Sequence, residues 1–154
     1  MLLLLFEIEN GRYALDIKEI VEIAPLVKLK KIPVAPDFVS GLMNYRGEGV
    51  PVIDLGKLID DVPADNKFST RIIIVINPFK DNQNKFIGLI ASNVTETIKT
   101  DITKAPSTGV LMDKSLYKGD DTPDTDDMIQ WFDLKKMLPE KEINALFEEE
   151  EQDN

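Results

Sequence analysis

Between residues 41 and 55 two apolar runs, Gly41-Leu42-Met43-Asn44-Tyr45 and Val50-Pro51-Val52-Ile53, flank the glycine-bearing segment Arg46-Gly47-Glu48-Gly49. Val50 and Val52 fall on period-two positions, as do Leu42 and Asn44 across the turn, and glycine tolerates backbone angles that other residues resist. The stretch therefore predicts a β-hairpin. Asp54 stands where the second strand gives way to Leu55–Ile59, and its short carboxylate suits the N-cap of a small helix. Arg46, at the hairpin's end among apolar neighbours, either extends its head into water or meets a carboxylate brought by another strand.

The same reading extends over the chain. Leu2 to Ile23 reads as strand, turn at Asn10-Gly11, and strand, with Tyr13, Leu15 and Ile17 alternating against Ala14 and Asp16. Glu22 is an acid inside the apolar run Ile20-Val21-Glu22-Ile23 and needs either solvent or a cation, for which Arg46 is the obvious candidate. We expect the two to pair across neighbouring strands; if the pair is partly buried, removing one partner should cost more than the loss of an exposed ion pair. Pro25, Pro33 and Pro36 make the next stretch extended, ahead of an expected helical turn at Asp37-Phe38-Val39. Ile72-Ile73-Ile74-Val75-Ile76 is apolar on both faces, as in a central buried strand. After a turn cluster at 77–85, Phe86 to Ala91 reads as a strand in which Gly88 leaves room for close approach. Further strands are expected at Val94–Thr100, Val110–Met112, Leu116-Tyr117 and Met128–Phe132. Asp133 should cap a helix through Leu138, and Pro139 should open another over Glu140–Glu149. The whole is all-β with small helices, and many short punctuated strands point to closed barrels.

Charge and composition narrow the function. A chain of 154 residues with 43% hydrophobic content buries one ample core or two small ones. The apolar opening Met1–Phe6 lacks a basic n-region and a small-residue cleavage site, so it reads as a first strand. No run approaches the length that crosses a bilayer, and the cytoplasm is the expected compartment. Of the net charge of −10, nearly all lies in residues 113–154, which hold 14 acids and 5 bases. A near-neutral body with an acidic end is poorly suited to nucleic acid or anionic lipid. With neither histidine nor cysteine the chain excludes Ser-His-Asp, Cys-His and zinc–thiolate mechanisms. No phosphate-cradling glycine loop is present. The acidic run Asp120–Asp127 lacks the central glycine and the twelfth-position glutamate of a calcium loop, so we expect a solvated loop. No catalytic group, cofactor site or metal site is expected.

The hairpin carries a resemblance. Its residues fit the pattern Gly-x-x-Asn-x-Arg-Gly-x-x-x-Pro-x-x-Asp-Leu at every fixed position. The match extends outward through Phe6, Tyr13–Ile17, Val21-Glu22-Ile23, Ile32-Pro33, Ala35-Pro36, Thr70–Val75 and Gly88. In this the sequence resembles the CheW family of chemotaxis coupling proteins over about residues 6–138. It departs from the family at Ser92-Asn93-Val94, where an Asp usually precedes the valine, and in the lengthened loop Asp120–Asp127. The resemblance implies two intertwined five-stranded, SH3-like β-barrels in one CheW-like domain over residues 1–154. One subdomain would take about 13–80; the other would take about 1–12 plus 81–154, with a C-terminal helix and acidic tail. It also implies a non-enzymatic adaptor that joins the histidine kinase CheA, through its CheW-like regulatory domain, to the cytoplasmic tips of methyl-accepting chemoreceptors. Such a protein would be recruited from the cytoplasm to membrane-bound receptor arrays. Ile20, Glu22, Gly41, Asn44, Arg46, Ile72 and Gly88 match positions in or near the partner surfaces, or positions that hold them in shape. The alternatives are an adaptor of the same kind in another two-component pathway, such as twitching motility or a second-messenger circuit, and a small β-barrel ligand-binding protein.

Overall fold

One long strand, β7 (Phe86–Lys99), belongs to two barrels at once in the computed structural model, which describes residues 1–100, 103–111 and 128–148. Its first half runs antiparallel to β6 (Arg71–Ile76) and parallel to β5 (Glu48–Asp54). Its second half runs antiparallel to β1 (Leu2–Ile8). Around the first half the order is β4 (Val39–Tyr45), β5, β7, β6 and β3 (Ile20–Pro25). That sheet closes through a two-way bridge, in which Lys30 N donates to Leu42 O at 2.8 Å and Leu42 N to Lys30 O at 2.7 Å. Around the second half the order is β7, β1, β2 (Gly11–Asp16), β9 (Ile129–Trp131) and β8 (Val110–Leu111). Three short α-helices, α1 (Leu55–Asp60), α2 (Leu134–Met137) and α3 (Glu140–Leu146), and a 3-10 turn at Ile17–Glu19 complete the described chain.

The crossing from one barrel to the other happens at Asn93, which adopts φ +49°, a conformation asparagine tolerates better than most residues. Its Oδ1 accepts from Ser69 Oγ at 2.7 Å and its Nδ2 donates to Glu7. The side chain thus ties the loop ahead of β6 to the first strand of the other barrel.

Strand alternation sorts the apolar residues into three cores. Ile72 and Ile74 fill the first barrel with Ala24, Met43, Tyr45, Val50, Val52 and Ile90, while Ile73 and Val75, on the other face of β6, pack between the barrels. β1 divides likewise: Leu3 and Leu5 enter the second barrel with Ala14, Leu111 and Ile129, and Leu4 and Phe6 face the first. This double use explains the unbroken apolar runs in both strands. The middle core is the largest. It holds the ring cluster Phe6, Tyr13 and Phe132, with centroids 5.7–6.1 Å apart, and is covered by Leu134, Leu138 and Ile143 of the C-terminal helical segment.

Several expectations are corrected. Residues 36–39 form a β-turn closed by Val39 N donating to Pro36 O at 3.0 Å, not a helical turn, because Val39 is already drawn into β4. β2 pairs only within the second barrel and β3 only within the first, so the chain crosses between barrels at residues 17–19, a few residues past the expected 13, and crosses back within β7 instead of near 80. α3 stops at Leu146 with Phe147 as its C-cap. The strand at Leu116-Tyr117, the loop at Asp120–Asp127 and the tail from Glu149 lie outside the described residues.

Candidate functional site

The hairpin tip is the most distinctive polar feature of the first barrel. Tyr45 pairs with Glu48 across a two-residue turn, and Arg46 and Gly47 adopt φ +53° and +82°, the positive angles that a type I′ turn requires at both positions. Asn44 Oδ1 accepts from Gly47 N at 3.0 Å and fastens the turn. From there Arg46 reaches Glu22 of β3, Nη2 to Oε2 at 3.8 Å, while its Cζ lies 5.0 Å from the centre of the Tyr45 ring. The Tyr45 hydroxyl donates to the same Glu22 oxygen at 2.5 Å, and this bond, with burial adding to it, holds the phenol's pKa above its ordinary value. Beside them Lys85 Nζ lies 3.9 Å from Glu48 Oε1.

The expected pair of Glu22 and Arg46 is therefore present, and it is a solvent-exposed pair. The side chains are 45% and 73% exposed, because the tip projects past the barrel's end and water solvates the outer side of both charges. β3 and β4 are also not laddered neighbours; the pair spans the gap between the two edges of the sheet.

The other residues implied by the resemblance fall in different places. Ile72 is 0% exposed and Gly88 is buried beside it; a Cβ on Gly88 would lie 2.9 Å from Ile72 Cγ2 and 3.0 Å from Val52 Cγ2. Both positions are interior, where they pack against each other and Val52, and of the two expectations this placement fits residues that hold the surface in shape. Gly41, at φ +147°, lets the 26–31 segment close over β4: a Cβ there would stand 2.6 Å from Lys30 O. Ile20 is half-buried against the middle core, and Ile23 of the same strand is 39% exposed. The structure thus brings together Glu22, Asn44 and Arg46, puts Ile72 and Gly88 in contact inside the barrel, and leaves Gly41 and Ile20 apart from both groups. Tyr45 is the functional candidate the sequence reading passed over; the signal available was a hydroxyl-bearing aromatic immediately before the turn arginine.

A second feature is a cleft of about 430 Å³ between the barrels, walled by Ile76, Pro78 and Leu134 and rimmed by Lys18, Glu19, Asp133 and Lys135. The rim is set by two N-caps. Asp16 accepts from Lys18 N at 3.0 Å and so starts the 3-10 turn Ile17–Glu19, while Asp133 accepts from the backbone of Lys135 and Lys136 to start α2. Burial, then the nearby carboxylates of Asp16 and Asp133, push the Glu19 carboxyl above its ordinary value. Apolar walls with a charged rim suit the ridge of an amphipathic helix. Among the described residues no three metal-ligating side chains converge, and no helix is long and apolar enough to cross a membrane.

Two fused five-stranded barrels with a projecting charged hairpin and a cleft between them define a small β-barrel module whose prominent features are surfaces. A family model described as the CheW-like domain matches residues 2–142, and the chain belongs to that family. Among its relatives, chemotaxis protein CheV3 of Helicobacter pylori is 25% identical over 136 residues, 88% of this chain and 43% of that protein. Chemotaxis protein CheW of Klebsiella aerogenes is 28% identical over 95 residues, 62% of this chain and 54% of that one. The chain thus spans about half the length of these curated relatives. The crystal structure of the scaffolding protein TtCheW from Thermoanaerobacter tengcongensis superposes with a TM-score of 0.64 at 29% identity, covering 86% of this chain and 84% of that one. The likeness to a solved relative confirms the expected fold class of mostly β structure in SH3-like barrels.

Proposed function

We propose that this protein is a non-enzymatic coupling adaptor in chemotaxis signalling, joining a histidine kinase of the CheA type to the cytoplasmic tips of chemoreceptors. The observation that carries the reading is that a CheW-like domain occupies nearly the whole chain and keeps its charged hairpin tip and inter-barrel cleft open to solvent. The kinase's regulatory domain, being CheW-like itself, would meet a barrel of its own kind. A receptor tip is a helical hairpin, and the apolar cleft beside Ile76 and Leu134 accepts such a ridge in the helix-in-groove manner. Arg46 and Glu22, exposed at the tip, present charges that choose between partners more than they add affinity. The adaptor works in the cytoplasm and is held at membrane arrays only through its receptors.

The test is pairwise calorimetry of the full chain against the regulatory domain of the kinase and the cytoplasmic hairpin of a receptor, both from the same source organism. Saturable binding to each is the expected result. Binding to neither partner contradicts the reading.

A further inference from the structure

Among the described residues the charge partner of Arg46 is Glu22, and the two meet through one nitrogen at 3.8 Å with no bidentate bond. A guanidinium carries five N–H donors in a planar fork, so most of this fork is uncommitted. Glu48, the other carboxylate of the tip, is paired with Lys85 and does not compete for it.

What holds the arrangement is Tyr45. The residue is 7% exposed, belongs to the first barrel's core with Met43 and Val50, and packs its ring edge-on against Phe86 with ring centres 5.8 Å apart. From that fixed base it makes two contacts with the exposed pair, its ring under the Arg46 guanidinium and its hydroxyl on Glu22 Oε2. An arginine in open solvent samples many rotamers, and ordering it on binding costs affinity; one already resting on a buried ring loses less.

We propose that Tyr45 is the positioning residue of the coupling site, holding Arg46 and Glu22 in one arrangement so that the free edge of the guanidinium takes a carboxylate of the docked partner. This rests on the adaptor reading above and adds to it the residue that organises the tip and the chemistry of the group it receives. Tyr45 does not itself touch the partner. Glu22 has two tasks: it neutralises part of the arginine's charge and fixes the direction of the phenol, which would otherwise turn to water.

Tyr45→Phe isolates the role, because it keeps the ring, its packing and the contact under Arg46 and removes only the hydroxyl. Wild type, Tyr45→Phe, Glu22→Gln, Arg46→Ala and the double variant Tyr45→Phe/Arg46→Ala are titrated by calorimetry against the kinase regulatory domain and the receptor hairpin. Each variant is also melted, and the ¹⁵N relaxation of the Arg46 Nε–H group is recorded on the free protein. Tyr45→Phe is expected to melt as wild type, to show a more mobile Arg46 side chain, and to bind the partner that reads the tip about tenfold more weakly, the worth of one charge-assisted hydrogen bond. Glu22→Gln is expected to loosen Arg46 in the same way, and the double variant to bind no more weakly than Arg46→Ala alone. Wild-type affinity and an unchanged Arg46 signal in Tyr45→Phe, with Arg46→Ala impaired, overturn the positioning role and leave the adaptor reading standing. Failure of wild type to bind either partner overturns both.

Discussion

A methyl group added at Gly88 would press on Ile72 and Val52, both fully buried, inside a barrel too narrow to yield. Gly88→Ala should therefore cost about 1–3 kcal/mol by overpacking, read as a lowered urea midpoint with an unchanged slope. Gly41→Ala should cost at least about 2 kcal/mol, because its positive φ and the Lys30 carbonyl at 2.6 Å oppose a side chain together. The exposed pair behaves differently. In a cycle of Glu22→Ala, Arg46→Ala and both, the coupling in stability should be only about 0.2–1 kcal/mol, since solvent screens both charges. That Glu22 and Arg46 meet was legible from two lone charges in apolar surroundings. Their exposure was not, because it depends on how far the hairpin projects beyond the barrel, which no local pattern records. The interior placement of Ile72 and Gly88 was legible from a strand apolar on both faces and a glycine that leaves room for close approach, but such a strand does not say which face lies in which core.

At the scale of elements, α1 hangs on one carboxylate. Asp54 Oδ1 accepts from Gly56 N at 2.9 Å and Lys57 N at 3.2 Å, and its two oxygens take Ala64 N at 3.1 Å, so a single side chain starts the helix and anchors the following loop. Asp54→Ala removes the cap and leaves buried donors without partners. The expected loss is about 2–4 kcal/mol in chemical denaturation, with Asp54→Asn keeping part of it. This cap, the hairpin and the α2 cap at Asp133 were readable because turn and cap chemistry is local. The continuity of β7 was not. Its two halves read as separate strands around Ser92-Asn93, whereas Asn93 at positive φ, held by Ser69 and Glu7 from opposite barrels, carries the strand through. The expected helical turn at 37–39 failed similarly, because Asp54 N donating to Phe38 O at 2.8 Å draws that segment toward the sheet.

For the whole molecule, the shared strand and the middle core make the two barrels one unit, and the cleft between them carries a titratable group. Burial and two neighbouring carboxylates raise the Glu19 pKa in the folded state, so the folded protein holds this proton more tightly than the unfolded chain does. Glu19 then adds stability below its unfolded pKa, and that contribution is lost as pH rises through the folded value. Glu19→Gln should accordingly stabilise the fold relative to wild type at about pH 7 and lose that advantage at about pH 4; thermal melts of both proteins at the two pH values check it. The most direct test of the adaptor account is reconstitution: kinase autophosphorylation measured with receptor-bearing membranes, with and without this protein. The account predicts strong activation only when kinase, receptor and this chain are all present, reduced by Arg46→Ala and spared by substitution at exposed Lys67. Kinase activity that is the same with and without the chain would contradict it.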